Sequence, residues 1–212
     1  MDHAVSLQDT SRSAPAIAFP YHQNMEQAAK EADVSILPPP ISETASILET
    51  LVRLNTGALV IDTCSIKTPL LAAIGKARTA GLRFGSIHPM FGPNADLLAN
   101  RTVLVCETKG YEALNDEIVS VFRGAGTSFL RIPLHEHDEL IGYVLGLSHL
   151  TNLVFAGALA DSGISFGDLE KAGGTTFHGQ TQVTSSVVRE NQDLYFEIQA
   201  VNQQSPEVIG QL

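Results

Sequence analysis

Histidine is the side chain whose ordinary pKa lies nearest neutrality, so a histidine held by a stiff backbone is the first candidate for acid–base chemistry. His88 stands in Gly85-Ser86-Ile87-His88-Pro89-Met90-Phe91-Gly92-Pro93, between two glycines and two prolines and directly after an extended segment. Those residues predict a rigid, tightly turned backbone. Taken alone, a histidine in such a turn more often bonds its own loop than performs catalysis. His149 lies in an otherwise apolar helical stretch, where a satisfied core histidine is the ordinary reading. His135-Glu136-His137-Asp138 resembles a metal-binding cluster but has no third ligand at a supporting distance, so no metal is expected. Asp138 there suits a helix cap or first-turn anion. No G-x-S-x-G elbow, P-loop or Cys/His pair offers a covalent nucleophile.

The elements that must position these groups follow from pattern and punctuation. Residues 1–15 are polar and aperiodic and read as a tail. A short strand is expected at Ala16–Phe19, a helix over residues 24–32 capped by Asn24, and a strand at Val34–Leu37 stopped by prolines 38–40. A helix from Ser42 carries Ile47, Leu48, Leu51 and Leu54 at helical spacing and ends at Asn55–Gly57. Strands are then expected at 58–62, 81–87, 102–106 and 127–132, with helices at 69–80 and 112–123 between them. This alternation predicts a mostly parallel sheet with crossover helices. Ligands bind such sheets beyond the carboxyl ends of the strands, where Pro38, the segment Asp62–Lys67 and His88 all fall. After Pro133 the pattern becomes helical. Leu140–Ala160 reads as a central, buried helix, too interrupted by Ser148, His149, Thr151 and Asn152 to span a membrane. The expected organisation is an α/β domain over 16–133 and a helical domain over 134–212.

Composition narrows the partners. The 212-residue chain has 44% hydrophobic and 17% charged residues and a formal net charge of −10. It has no basic cluster to meet nucleic acid or an anionic membrane, which leaves small molecules as the expected ligands. No run of 18 apolar residues predicts a membrane span, and the N-terminus does not read as a secretory signal. Cys64 and Cys106 sit in apolar strand-like surroundings and read as buried, reduced thiols of a cytoplasmic protein.

Asp62-Thr63-Cys64-Ser65-Ile66-Lys67, His88-Pro89-Met90-Phe91-Gly92-Pro93, His137-Asp138, His149 and Asp193-Leu194-Tyr195-Phe196-Glu197-Ile198 occur in the order of the conserved segments of the prephenate and arogenate dehydrogenases. The sequence resembles that family over roughly residues 16–200. The resemblance implies a Rossmann-like domain followed by a helical substrate and dimerisation domain. It also implies oxidation of a cyclohexadienyl acid with NAD or NADP, driven by loss of CO2 and aromatisation. In that scheme His88 accepts the hydroxyl proton, Ser65 lies near it and the nicotinamide, Pro38 borders the cofactor, His149 binds substrate, and Lys67 fixes the loop or a carboxylate.

The chain departs from the family pattern in three places. Its first glycine is Gly57, and the segment from Ala16 matches the family's second strand. The expectation is therefore a truncated Rossmann-like sheet without the G-x-G-x-x-G turn that holds a pyrophosphate. Ser186 stands where the family has a carboxylate-binding arginine, and Arg189, one turn on, is the substitute. The sequence ends soon after Ile198, where relatives continue into dimerisation helices, which leaves a homodimer open. Alternative readings are a cofactor-independent lyase or isomerase acting on a prephenate-like acid, and a non-catalytic relative.

Overall fold

The computed structural model describes residues 4–9, 19–38, 40–92, 98–122, 125–189 and 192–211. The chain divides into two compact units, Met1–Ser65 with Leu70–Leu134, and Ile66–Pro69 with His135–Leu212.

In the first unit, β1 (Leu7–Gln8) and β2 (Tyr21–His22) form a small parallel sheet, and α1 (Met25–Glu31) begins at Asn24, whose side chain accepts from the Glu26 N–H. The main sheet has the order β3-β4-β5-β6-β7, with β3 at Val34–Leu37, β4 at Leu59–Asp62, β5 at Phe84–Pro89, β6 at Thr102–Glu107 and β7 at Ser128–Pro133. Neighbours are parallel except β5 and β6, which pair antiparallel with Ile87 opposite Val105 and His88 opposite Leu104. Every residue of β4 is buried, which is why it reads as a continuous apolar run rather than an alternating one, and β5 is buried from Phe84 to His88.

The connecting helices follow from the same sequence. α2 (Ile41–Leu54) buries Ile41, Thr44, Leu48 and Leu51 on one face and ends at Asn55, in the left-handed conformation that asparagine tolerates. α3 (Leu71–Thr79) follows a 3-10 turn at Thr68–Leu70, where Pro69 needs no N–H partner. α4 (Glu112–Val121) drives Ile118 into a core of Leu59, Ile61, Ile87, Val103 and Val105.

The strand expected at Ala16–Phe19 falls mainly outside the described residues, as do Pro39, Pro93 and Arg123; the strand nearest it is β2. The tight turn expected around His88 is corrected. β5 runs through His88 and Pro89, and Gly85 lies inside it. A Cβ on Gly85 would come 1.8 Å from Ile118 Cδ1, so glycine is required by the approach of α4 and not by a turn. Pairing with Leu104 of β6 holds His88 on one side, while the register with β4 ends two residues earlier at Ser86.

The second unit is helical among the described residues. α5 (His137–Ile141) passes into a π-helical turn (Gly142–Leu147) and then α6 (Ser148–Asp161), followed by α7 (Phe166–Ala172), α8 (Thr175–Arg189), α9 (Gln192–Val201) and α10 (Ser205–Ile209). α6 packs on α8. The central, buried helix expected over Leu140–Ala160 is also corrected. The run His137–Asp161 is apolar, and only 22% of its most apolar stretch is buried. By length and composition alone it could cross a membrane, a test that core helices of soluble proteins also pass. Val144 and Val154 are exposed at 46% and 62% because a helix apolar on most sides needs cover on most sides, and its neighbours in the unit supply only part of it.

Candidate active site

Three adjacent parallel strands, β3, β4 and β5, bring Pro38, Ser65 and His88 to the same end of the sheet. Asp62 closes β4 and pairs in register with Ser86 of β5, two residues before His88. Its carboxylate accepts the Cys64 N–H at 3.0 Å, so the chain turns sharply toward Ser65. Thr63 donates both its N–H (3.1 Å) and its hydroxyl (3.0 Å) to the carbonyl of Leu37, which ties the end of β4 to the end of β3 beside Pro38. Thr44 of α2 and the Cys64 thiol lie 3.1 Å apart in a hydrogen bond. These bonds fix the backbone around Ser65, which is half-buried, while Pro38 is exposed. His88 is 4% exposed and Asp62 fully buried. Cys64 and Cys106 are buried thiols outside any disulfide.

In the second unit the remaining residues singled out from sequence are spread over separate elements. Asp138 in the first turn of α5 caps a different segment from its own helix: its carboxylate accepts the N–H of Lys67 at 2.8 Å, the N–H of Thr68 at 2.6 Å and His137 Nδ1–H at 2.6 Å. Burial pushes this carboxyl up, but the bonds from His137, Thr68 and Lys67 outweigh it and hold it at about 2. Lys67 has no accessible surface, which fits support of its own segment better than contact with a dissolved acid. His149 on α6 lies ring to ring with Tyr195 of α9, centroids 3.9 Å apart and tilted by 35°. One turn on, Asn152 Oδ1 accepts from Gln180 Nε2 (2.9 Å) and Thr184 Oγ1 (2.7 Å), which locks α6 to α8. Ser186 and Arg189, three residues apart near the end of α8, are both exposed.

The contacts of Tyr195 with His149, of Asn152 with Gln180 and Thr184, and of Asp138 with the Lys67 and Thr68 amides escape a reading of the sequence because each partner lies at least 28 residues away. Tyr195 left a trace in the segment Asp193–Ile198, whereas Asn152 was marked only as a polar interruption of an apolar run. Among the described residues no three His, Cys, Asp or Glu side chains are grouped to hold a metal ion.

The sheet order, the parallel β3-β4-β5 core and the helical second unit define a Rossmann-like fold. Similar folds include the A. aeolicus prephenate dehydrogenase solved in complex with hydroxyphenyl propionate and NAD+ (TM-score 0.72, 20% identity, 91% of this chain and 69% of that one) and the Synechocystis arogenate dehydrogenase (TM-score 0.67, 21% identity, 91% and 71%). Residues 2–130 match the family described as prephenate dehydrogenase, nucleotide-binding domain, and the chain belongs to that family. Among curated proteins it is similar to a probable arogenate/prephenate dehydrogenase of Methanocaldococcus jannaschii (24% identity, 89% of this chain, 43% of the relative). It is also similar to a 4-amino-4-deoxyprephenate dehydrogenase of Streptomyces pristinaespiralis (26%, 84% and 59%). The chain thus spans about half the length of these relatives.

Proposed function

We propose that the protein oxidises a cyclohexadienyl acid of the prephenate type at its ring hydroxyl, with NAD or NADP as hydride acceptor and loss of CO2. The observation that carries this reading is the convergence of Pro38, Ser65 and His88 at the carboxyl ends of three neighbouring parallel strands, in a chain of this family. Dinucleotides bind at that end of such sheets. The bonded turn from Asp62 to Ser65, tied to Leu37, fits the nicotinamide half of the cofactor. The pyrophosphate is assigned no residue, because the sequence has no glycine before Gly57.

Bound there, the nicotinamide supplies the hydride acceptor. His88 takes the hydroxyl proton as the O–H electron pair becomes the carbonyl bond and the C–H pair leaves as hydride. When the carboxylate departs as CO2, its bonding electrons move through the ring to that oxygen, and His88 returns the proton. Ser65 bonds the same oxygen and steadies it. His149, backed by Tyr195, contacts the acid, Arg189 offers a guanidinium to a carboxylate, and Lys67 supports its own buried segment. The protein works in the cytoplasm, and its small-molecule ligand suits the absence of a basic patch. It pairs as a homodimer over the exposed apolar side of α6. Sedimentation showing a monomer at all concentrations would exclude that pairing.

Incubation with prephenate, with and without NAD or NADP, tests the reaction: reduced cofactor and an aromatic product should appear together. His88→Asn is expected to cost at least about 100-fold in kcat with unchanged melting. Product formed without cofactor, or full turnover by the variant, would sink the reading.

A further inference from the structure

The helix that carries His149 is interrupted just before it. Gly142–Leu147 is a π-helical turn between α5 and α6. Such a turn takes in one residue more than an α turn, so it rotates everything beyond it by about 100° relative to an unbroken α-helix. It is less favourable than an α turn and persists where a side chain or neighbouring element holds it.

The holding group is on α9. Gln199 Nε2 donates to the carbonyl of Gly146 at 2.6 Å. One turn earlier on the same helix, Tyr195 lies against His149, and just past its end Asn202 Nδ2 donates to the carbonyl of Asp138 at 2.9 Å. Positions 195, 199 and 202 recur at i, i+4 and i+7 and so form one stripe, which meets 149, 146 and 138 in reverse order. Gln199 Oε1 is buried with no hydrogen-bond partner among the described residues. Burying that oxygen is costly, so an apolar side chain would serve better if packing were the only demand on position 199. What glutamine adds is its donor.

We infer that Gln199 is a positioning residue that holds the π turn open and thereby aims the His149 imidazole along Tyr195, setting the direction His149 presents to a bound acid. The last clause rests on the proposed function; the rest does not. Gln199→Met keeps the length and removes the donor, and Gln199→Glu keeps the shape and replaces the donor with an acceptor. In both, the π turn should relax to α, and the His149 ring protons should lose the upfield shift that the Tyr195 ring imposes in NMR spectra. For the acid substrate, KM should rise about tenfold with kcat within about twofold. Unchanged His149 resonances in both variants would overturn the inference whatever the turnover. A wild type that turns over no acid, together with displaced His149 resonances in the variants, would reject the function and support the positioning role. If neither variant folds, the wild type decides: a through-bond coupling between Gln199 Nε2 and the Gly146 carbonyl carbon supports the inference, and its absence overturns it.

Discussion

Asp138 illustrates how one carboxylate can be costly to bury and still be kept ionised. Three bonded groups, the amides of Lys67 and Thr68 and the His137 ring, overcome its desolvation and hold its pKa at about 2 against an ordinary 3.8. A carboxyl depressed on folding stabilises the native state above its unfolded pKa and loses that contribution as pH falls through the folded value. Stability should therefore be level above about pH 4 and fall between about pH 4 and pH 2 by about 2 kcal/mol. Asp138→Asn should remove that slope and lower stability at neutral pH by at least as much. Urea melts of both proteins across this range would check it, and an unchanged slope in the variant would contradict it. The sequence marked Asp138 as a cap but placed the capped amides on its own helix. The amides it does serve lie about 70 residues away and could not be read from local pattern.

Among the elements, those most legible in the sequence were the ones with sharp punctuation. Val34–Leu37 ended where prolines forbade more strand, α2 stopped at a left-handed asparagine, and β4 declared itself as an apolar run. Gly85 was misread because glycine has two uses, turning and yielding space, and only the approach of Ile118 decides between them. The π turn left no periodic trace, since one inserted residue is lost in the noise of a helix apolar on most sides. Gly85→Ala should cost about 1–3 kcal/mol, because the new methyl meets a fully buried isoleucine. Adding Ile118→Val, which deletes the clashing carbon, should recover part of that loss. Thermal melts of the two single variants and the double variant would show the coupling, and strictly additive losses would refute the clash.

At the scale of the whole molecule, the alternation of strands and helices, the change of character near Pro133 and the ordered motifs carried fold class and family. The exposure of α6 was not visible, because hydrophobicity alone does not say whether the covering surface lies within the same chain. Nor did sequence order disclose that Ile66–Pro69 is borrowed by the second unit while the residues on either side belong to the first. That interleaving bears on dissection of the protein. A fragment ending at Leu134 would retain Ile66–Pro69 but lack Asp138, the acceptor for the Lys67 and Thr68 amides. Lys67, sealed from solvent in the intact chain, should become a trypsin site in the fragment, with the new terminus readable by mass spectrometry. Equal resistance at Lys67 in both proteins would contradict this. Because the polypeptide visits the second unit twice, no single scission separates the chain into its two complete units.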